Sequence, residues 1–283
     1  MPYKILEKNR LNSAMCRMVI EAPFVAKSAR AGQFVIIRID EKGERIPLTI
    51  NDSDPLIGTI TIIFQEVGTT SEKLCCAKKG DSISDILGPL GHPTDFGRRG
   101  KVILVAGGVG IAEILPIVKY AKTEGNYVLT IIGIRTKELL ILEDELKKYS
   151  DELLVTTNDG TYGKKALVIE PLREALAKEK FDLCYCVGPD IMMKAVCEVT
   201  AICGLKTIVS LDANMVDATG MCGTCRVTVG GETKFACVDG PEFDGHLVDW
   251  EGFMKRQKRF SDEEKKSVGL FQSQHGNCRY KIT

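Results

Sequence analysis

The sequence predicts a multi-domain fold: an antiparallel β-barrel over residues 1–98, an α/β parallel-sheet domain over 99–210, and a small cysteine-bearing module with a C-terminal helical segment over 211–283. Three observations predict it. Short β-branched runs bounded by turn residues recur through the first hundred positions, strands then alternate with helices, and past residue 211 that rhythm stops in a stretch rich in glycine and cysteine. A chain of 283 residues is also longer than one typical core supports.

In the barrel half, "CRMVIEAP", "GQFVIIRID", "IPLTINDS" and "GTITIIFQEV" are rich in Val, Ile, Thr and Phe and bounded by Gly, Pro, Asn or Asp, which predicts consecutive antiparallel strands. One helix is expected at "TTSEKLCCAKKGD", with Thr69 and Glu72 as a capping box, and "DILGPLG" is expected to lead out of the barrel. "KVILVAGGVGIAEILPIVKYAKTEG" then reads as an apolar strand, a glycine turn and an amphipathic helix. "YVLTIIGIR", "ELLVTTND" and "FDLCYCVG" read as further strands, and "ELLILEDELKKY", "ALVIEPLREALAKEK" and "DIMMKAVCEVTAICG" as helices. Such alternation builds βαβ units, hence a parallel sheet with helices on both faces. The charged "DWEGFMKRQKRFSDEEKKSV" is expected to be helical, with Ser261 and Glu264 as another capping box. Its "KRQKR" reads as a solvated face, with a docking surface as the alternative.

Composition narrows the function classes. With 38 basic and 38 acidic residues the chain lacks the basic excess of a nucleic-acid-binding surface. No apolar run approaches the roughly 18 residues of a membrane span, and the polar opening "PYKILEKNR" is unlike a signal peptide, so the cytoplasm is the expected location. Eleven unevenly spaced cysteines do not make a disulfide framework in such a compartment. Cys184 and Cys186 are expected on one face of a buried strand, Cys75 and Cys76 on a helix, and Cys16, Cys197, Cys203 and Cys278 stand alone. Only Cys222, Cys225 and Cys237 have ligand spacing. Three histidines offer no acid–base constellation.

The turn "AGGVGIAE" ends a strand and opens a helix, so backbone N–H groups and the helix dipole converge there on a place suited to phosphate. Gly107, Gly108 and Gly110 allow close backbone approach, although Glu113 stands where the dinucleotide fingerprint has its third glycine. "CVGPDIMM" makes a second such turn with Gly188, and Pro189 suits the first helical position. Both turns end parallel strands, where open α/β sheets bind ligands. In the barrel half, "RIPLT" puts Arg45 and Thr49 on one strand face, the arginine suited to a pyrophosphate and the threonine to a flavin ring. "VGTTS" offers backbone donors at a helix start, a second phosphate cradle. Each feature also has a bland reading: an unliganded tight turn, a surface ion-pairing arginine, an ordinary helix cap.

In this order the stretches resemble the ferredoxin-reductase superfamily over essentially the whole chain. The cysteine module narrows the resemblance to the electron-transfer subunits of class 1B dihydroorotate dehydrogenases and, more closely, to the small subunits of NADH-dependent reduced ferredoxin:NADP oxidoreductases, also described as sulfide dehydrogenases. "GIRTKELLILEDEL", "TNDGTYG", "MVDATGMCGTCRV" and "CVDGPEF" carry it. The resemblance implies FAD held by Arg45, Pro47, Leu48, Thr49, Ile63, Gln65, Val67, Gly68, Thr69 and Thr70. It implies NAD(H) held by Gly107, Gly108, Gly110, Arg135, Asp159, Gly188, Pro189 and Met192. It further implies a heterodimer with a larger iron–sulfur flavoprotein subunit, through which ferredoxin and NADP(H) react, and flavin-based electron bifurcation. Arg135 and Lys137 in "GIRTK" leave NADP preference open, while the resemblance favours NAD.

Four thiolates are expected around an iron–sulfur cluster, and here three cysteines fall close to the plant-type spacing. The slot five residues before Cys222 holds Asp217. The family resemblance implies Asp217, Cys222, Cys225 and Cys237 as ligands of a [2Fe–2S] cluster, whose reduction potential an oxygen donor raises. The spacing itself leaves two alternatives open: structural zinc, or a fourth ligand from elsewhere with Asp217 as a turn residue. A nicotinamide delivers two electrons, a flavin can release them singly and a cluster accepts one at a time, so the parts suit one relay. The rival readings are a dihydroorotate dehydrogenase subunit, disfavoured by Asp217, and a non-catalytic tethering module.

Overall fold

The structure, a computed structural model, describes residues 2–41 and 43–275; Cys278 lies outside them. The first unit contains β1 (Tyr3–Arg10), β2 (Met15–Glu21), α1 (Pro23–Ser28), β3 (Phe34–Arg38), β4 (Arg45–Asp54), β5 (Thr59–Gln65), α2 (Thr69–Cys76), β6 (Ser82–Ile83) and β7 (Asp85–Leu90). Its strands make one antiparallel sheet in the order β6-β1-β2-β5-β4-β3-β7. The two edge strands are separated in sequence by Ser84 alone, so the sheet curls into a nearly closed barrel. Alternate residues such as Met18 and Ile20 or Ile60 and Ile62 point inward and fill it.

Three details depart from the sequence reading. Strand β1 arises from the charged "YKILEKNR", which buries only Ile5 and gains its place by pairing with β2. "DILGPL" does not leave the barrel; as β7 it pairs with β3 and closes it. The cap of α2 sits one residue earlier than expected. Gly68 is the N-cap, and Ser71 Oγ, not Glu72, accepts from the N–H of Gly68 at 2.9 Å and of Val67 at 3.1 Å. At the other end of α2, Lys8 Nζ donates to the carbonyls of Cys75 and Ala77, a cation at the negative end of a helix.

The second unit contains β8 (Lys101–Gly107), α3 (Gly110–Thr123), β9 (Tyr127–Ile134), α4 (Glu143–Tyr149), β10 (Glu152–Thr157), β11 (Lys164–Lys165), α5 (Ile169–Lys178), β12 (Leu183–Val187), α6 (Asp190–Ile202) and β13 (Thr207–Ser210). The parallel order is β11-β10-β9-β8-β12-β13. The chain proceeds from β8 to one side and returns to the other, so the topological switch point lies between β8 and β12. Central β8 is buried from Val102 to Gly107, as a strand covered on both faces must be, and Cys184 and Cys186 are buried together on β12. "ELLILEDELKKY" is not one helix. Ile141 is drawn into the core, Leu142 takes a left-handed φ of 57°, and α4 starts only at Glu143.

The last unit contains the hairpin β14 (Arg226–Val229) and β15 (Glu232–Phe235), then β16 (Glu242–Asp244), α7 (Trp250–Gln257) and α8 (Ser261–His275). Strand β16 adds antiparallel to β13 as the seventh strand of the second sheet. Helix α8 returns to the barrel, where Ser267 Oγ lies 2.8 Å from Thr69 Oγ1 and Gln272 donates to Glu72 at 2.6 Å. The barrel also grips α3. Pro116 inside that helix has no N–H to offer the Ala112 carbonyl, and the buried Asn51 Nδ2 donates to it at 2.6 Å. No helix among the described residues is long and apolar enough to cross a membrane.

Candidate redox cofactor sites

Strand β4 pairs with β3 along Arg45–Thr49 but with β5 only from Ile50 onward, past a bulge before Asp52. Strand β5 uses Ile63–Gln65 only toward β2. The two strands therefore diverge at the rim, and Pro47, Leu48 and Thr49 face Ile63 and Gln65 without ladder bonds among the described residues. A planar heteroaromatic ring with polar edges fits such a gap, because it supplies partners to backbone groups that otherwise lack them. Val67 is 69% exposed beside it.

Arg45 stands directly across from Arg38, and the two guanidiniums share Asp85 at 3.8 and 3.9 Å. Two opposed cations against one carboxylate leave a net positive charge. The Nε of Arg38 is buried and has no hydrogen-bond partner among the described residues. That orphaned donor fits an anionic group such as a pyrophosphate. Nothing in "FVIIRID" signals Arg38, which reads as the end of a core strand. In the cradle at α2 the N–H groups of Val67 and Gly68 are taken by Ser71, and the Thr69 and Thr70 hydroxyls meet Ser267 and Glu44. The donors left for a ligand are backbone N–H groups of the first helical turn.

At the switch point the glycines divide by role. Gly108 has φ +59°, and a Cβ there would meet nothing within 4 Å, so it makes the turn and faces open space. Gly107 and Gly110 answer to packing: an added Cβ would lie 2.5 Å from Met192 Sδ and 2.5 Å from the Val187 carbonyl respectively. A Cβ on Gly188 would lie 2.8 Å from the Gly107 carbonyl, so the two turns interlock. Pro189 is the N-cap of α6, with ψ 135°, and not its first helical residue. Arg135 and Asp159 are exposed on neighbouring loops, joined by the Asp159 N–H to the Arg135 carbonyl at 3.3 Å. Hydrogen bonds from Thr161 hold the Asp159 carboxyl below its usual range.

Glu113, in the first turn of α3, has its pKa pushed up to about 8 by burial and by the charge of Asp212. Asp190 is raised to about 6 by the same two causes. Asp212 is solvent-accessible but walled in by protein, which raises it as well. Asp190 and Asp212 are far from Glu113 in sequence, and no local pattern ties the three together.

The cysteine loop turns through Ala218 at φ 63° and Gly223 at φ 66°, left-handed conformations that fold it back on itself. Cys225 and Cys237 are buried while Cys222 is exposed. Burial and neighbouring Cys225 push the Cys237 thiol up to about 12. Crowding of this kind is what a bound cation reverses by holding every sulfur as thiolate, so the donor set fits a metal–sulfur centre. Asp217 adjoins Cys222 but turns its carboxylate to Thr219, accepting from that N–H at 3.2 Å and from the hydroxyl. Among the described residues no three His, Cys, Asp or Glu side chains converge in ligating geometry, so the four expected ligands are neighbours and not a closed set.

Helix α7 braces this loop, a role hidden in sequence. Asp249 caps it, accepting from the Gly252 N–H at 3.0 Å. Arg256 Nη2 donates to the Thr224 carbonyl at 3.1 Å and to that of Gly223 at 3.5 Å. Gln257 accepts from the Asn214 N–H at 3.1 Å and donates to the Asp212 carbonyl. The "KRQKR" stretch is therefore no uniformly solvated face, since Arg256 and Gln257 turn inward onto the loop.

Residues 104–198 match the oxidoreductase NAD-binding domain family, and residues 212–249 match the iron-sulfur cluster binding domain of dihydroorotate dehydrogenase B. Together with the barrel and the switch-point crevice, these matches define an NAD-binding, iron–sulfur oxidoreductase of ferredoxin-reductase-like fold. An electron transfer subunit homolog of dihydroorotate dehydrogenase B from Thermotoga maritima is 47% identical, over 95% of this chain and 95% of its own. An uncharacterized protein in the adh 3' region of Clostridium beijerinckii is 49% identical over 98% of each. The solved structure of an NADH-dependent reduced ferredoxin-NADP oxidoreductase, presented for its insights into flavin-based electron bifurcation, aligns with a TM-score of 0.91 at 46% identity, over 96% of this chain and 98% of that one. The chain belongs to the family of electron-transfer subunits related to dihydroorotate dehydrogenase B.

Proposed function

We propose that the chain is the electron-transfer subunit of an NADH-dependent ferredoxin:NADP oxidoreductase. It exchanges hydride with NAD(H) at FAD and passes single electrons through a [2Fe–2S] cluster to a larger iron–sulfur flavoprotein subunit. Ferredoxin and NADP(H) react at that partner, and the assembly works by electron bifurcation. The observation that carries the reading is the end-to-end likeness, 46% identity and a TM-score of 0.91 over 96% of the chain, because it spans barrel, nucleotide domain and cysteine module at once. The division at 1–98, 99–210 and 211–283 then corresponds to flavin, nicotinamide and cluster.

FAD, when bound, converts two-electron hydride chemistry into one-electron steps. The chain's own residues position and neutralise. The diverging edges of Pro47–Thr49 and Ile63–Gln65 orient the ring, while Arg45, Arg38 and the first turn of α2 meet the pyrophosphate. The open turn at Gly108 would receive dinucleotide phosphates, Pro189 and Met192 would wall the crevice, and the exposed Arg135 and Asp159 would meet the adenosine ribose. Glu113, with its pKa near 8, holds a proton at neutral pH and so does not repel a phosphate at the start of α3. Asp217, whose carboxylate here accepts from Thr219, would join Cys222, Cys225 and Cys237 in holding the cluster.

Anaerobic purification tests this directly. Rapid mixing with NADH bleaches the flavin absorbance, NADPH does so far more slowly, and a larger iron–sulfur flavoprotein co-purifies; a preparation without flavin or acid-labile sulfide ends the proposal. Asp217→Cys keeps a [2Fe–2S] signal and lowers its potential, whereas an unchanged potential removes Asp217 from the ligand set. The name of the Thermotoga relative favours a second reading, a dihydroorotate dehydrogenase subunit. Dihydroorotate-dependent NAD reduction by the co-purified assembly decides for it.

A further inference from the structure

The barrel holds a sulfur pair that the relay does not use. Cys16, midway along β2, and Cys75, near the end of α2, are 59 residues apart in sequence and 2.9 Å apart at Sγ, inside the van der Waals separation of two sulfurs. Both are buried, at 0% and 2% exposure. Strand β2 is held on both sides, by β1 and by β5, so Cys16 has a fixed seat. Helix α2 is held by Lys8 on its last carbonyls, by α8 at Thr69 and Glu72, by Thr70 on Glu44, by the Lys73–Asp40 ion pair and by Leu74 in the barrel core, so Cys75 has a fixed seat as well. From 2.9 Å the sulfurs need less than one ångström of helix movement to reach the bonding distance of about 2.05 Å.

We propose that Cys16 and Cys75 are a dithiol site that closes to a reversible intramolecular disulfide, with a small hydroperoxide as oxidant. The pair is chemically asymmetric. A hydrogen bond from Cys75, helped by the charges of Arg10 and Lys8, pulls the Cys16 thiol down to about 7, while the same bond and burial push Cys75 up. Cys16 is thus the nucleophile and Cys75 the resolving thiol. The Cys16 thiolate attacks one peroxide oxygen, the O–O bond breaks, and the departing hydroxide takes a proton to leave as water, giving a sulfenic acid. Cys75 Sγ then attacks the Cys16 sulfur, the S–O bond breaks, and the hydroxide released takes the Cys75 proton. Two thiols and one hydrogen peroxide become one disulfide and two waters, with two electrons passing from sulfur to oxygen. The bond ties α2 to β2, and the first turn of α2 is the Gly68–Thr70 cradle, so oxidation acts on the helix offered to the pyrophosphate.

The full chain with its bound groups, reduced and held anaerobic, is titrated with hydrogen peroxide, then acid-quenched, unfolded, alkylated and digested. The expected result is a linked peptide pair carrying Cys16 and Cys75, released by dithiothreitol. In Cys75→Ser, Cys16 is expected to stop at the sulfenic acid and be trapped by dimedone. Alkylation of both residues in the treated protein, a Cys75–Cys76 link, or no dimedone adduct in soluble Cys75→Ser overturns the proposal. Peptide mapping keeps these outcomes separate from oxidation of Cys222, Cys225 and Cys237, so the result stands whether or not the cluster assignment does.

Discussion

Replacing Asn51 by alanine tests how the barrel is fastened to the nucleotide domain. Asn51 is 5% exposed, and its Nδ2 is 2.6 Å from the Ala112 carbonyl, an acceptor that Pro116 leaves without an intrahelical donor. The substitution removes the bond and also strands a buried carbonyl, which costs about 1–3 kcal/mol, at the upper side of what one neutral hydrogen bond contributes. The expected result is a lower denaturant midpoint at unchanged slope, read by flavin fluorescence. Pro116→Ala supplies the control, because an alanine in that place brings an N–H that reclaims the Ala112 carbonyl. In that background Asn51→Ala strands nothing, so its cost should fall by ~1 kcal/mol or more, a coupling a double-mutant cycle resolves. Equal costs in the two backgrounds would refute the account, since the carbonyl freed by proline would then not be what Asn51 serves.

Arg256→Ala should free the Gly223 and Thr224 carbonyls from α7 and release the cluster to a chelator at least about tenfold faster, equivalent to ~1.4 kcal/mol, with Arg256→Lys intermediate because lysine keeps the charge but not the fork. Glu113 has a raised carboxyl pKa, so the stability it contributes is fully present below about 4.5 and is lost as pH rises through about 8. Glu113→Gln should therefore flatten the fall of the unfolding midpoint across that window, and a variant with the wild-type slope would show that the titration belongs elsewhere. Arg38→Met should weaken FAD retention on dilution while leaving the NADH-binding domain intact, and equal retention would remove Arg38 from the pyrophosphate site.

Legibility followed locality. The glycine turns, the barrel strands and Arg45 are short-range patterns, and the structure places them at the barrel rim and the switch point. Within them, the structure adds a reason that one-dimensional reading lacks: a Cβ on Gly107, Gly110 or Gly188 would collide across two interlocked turns, while Gly108 faces open space. Arg38 escaped notice because its partner in charge, Arg45, is set opposite it by strand pairing and not by sequence spacing. The brace from Arg256 and Gln257 was hidden for the same reason, since a run of basic residues looks alike whether a side chain meets water or a carbonyl more than thirty residues away. Strand β1 shows the opposite limit: its charges mask it until pairing with β2 supplies what periodicity does not.

The cysteine module is not a bead on a tether, and this bears on how electrons could pass through the chain. Strand β16 extends the nucleotide-domain sheet, and at its start the half-buried Glu242 accepts from Tyr185 Oη of β12 at 2.8 Å and from the Thr94 hydroxyl in the segment leaving the barrel. Desolvation holds the Glu242 carboxyl above its usual range against the two hydrogen bonds that lower it, and the group sits where all three units meet. Glu242→Leu keeps bulk but removes the acceptor of the Thr94 hydroxyl, at about 1–3 kcal/mol, and leaves Tyr185 Oη with Ser210 alone. If the junction fixes the relay, this variant should slow reduction of the cluster by NADH while leaving reduction of the flavin unchanged, because in the proposed function hydride transfer lies within two units and the onward step crosses into the third. Equal slowing of both steps, or of neither, would mean that Glu242 supports folding alone and that the cluster's place is set by α7 and α8.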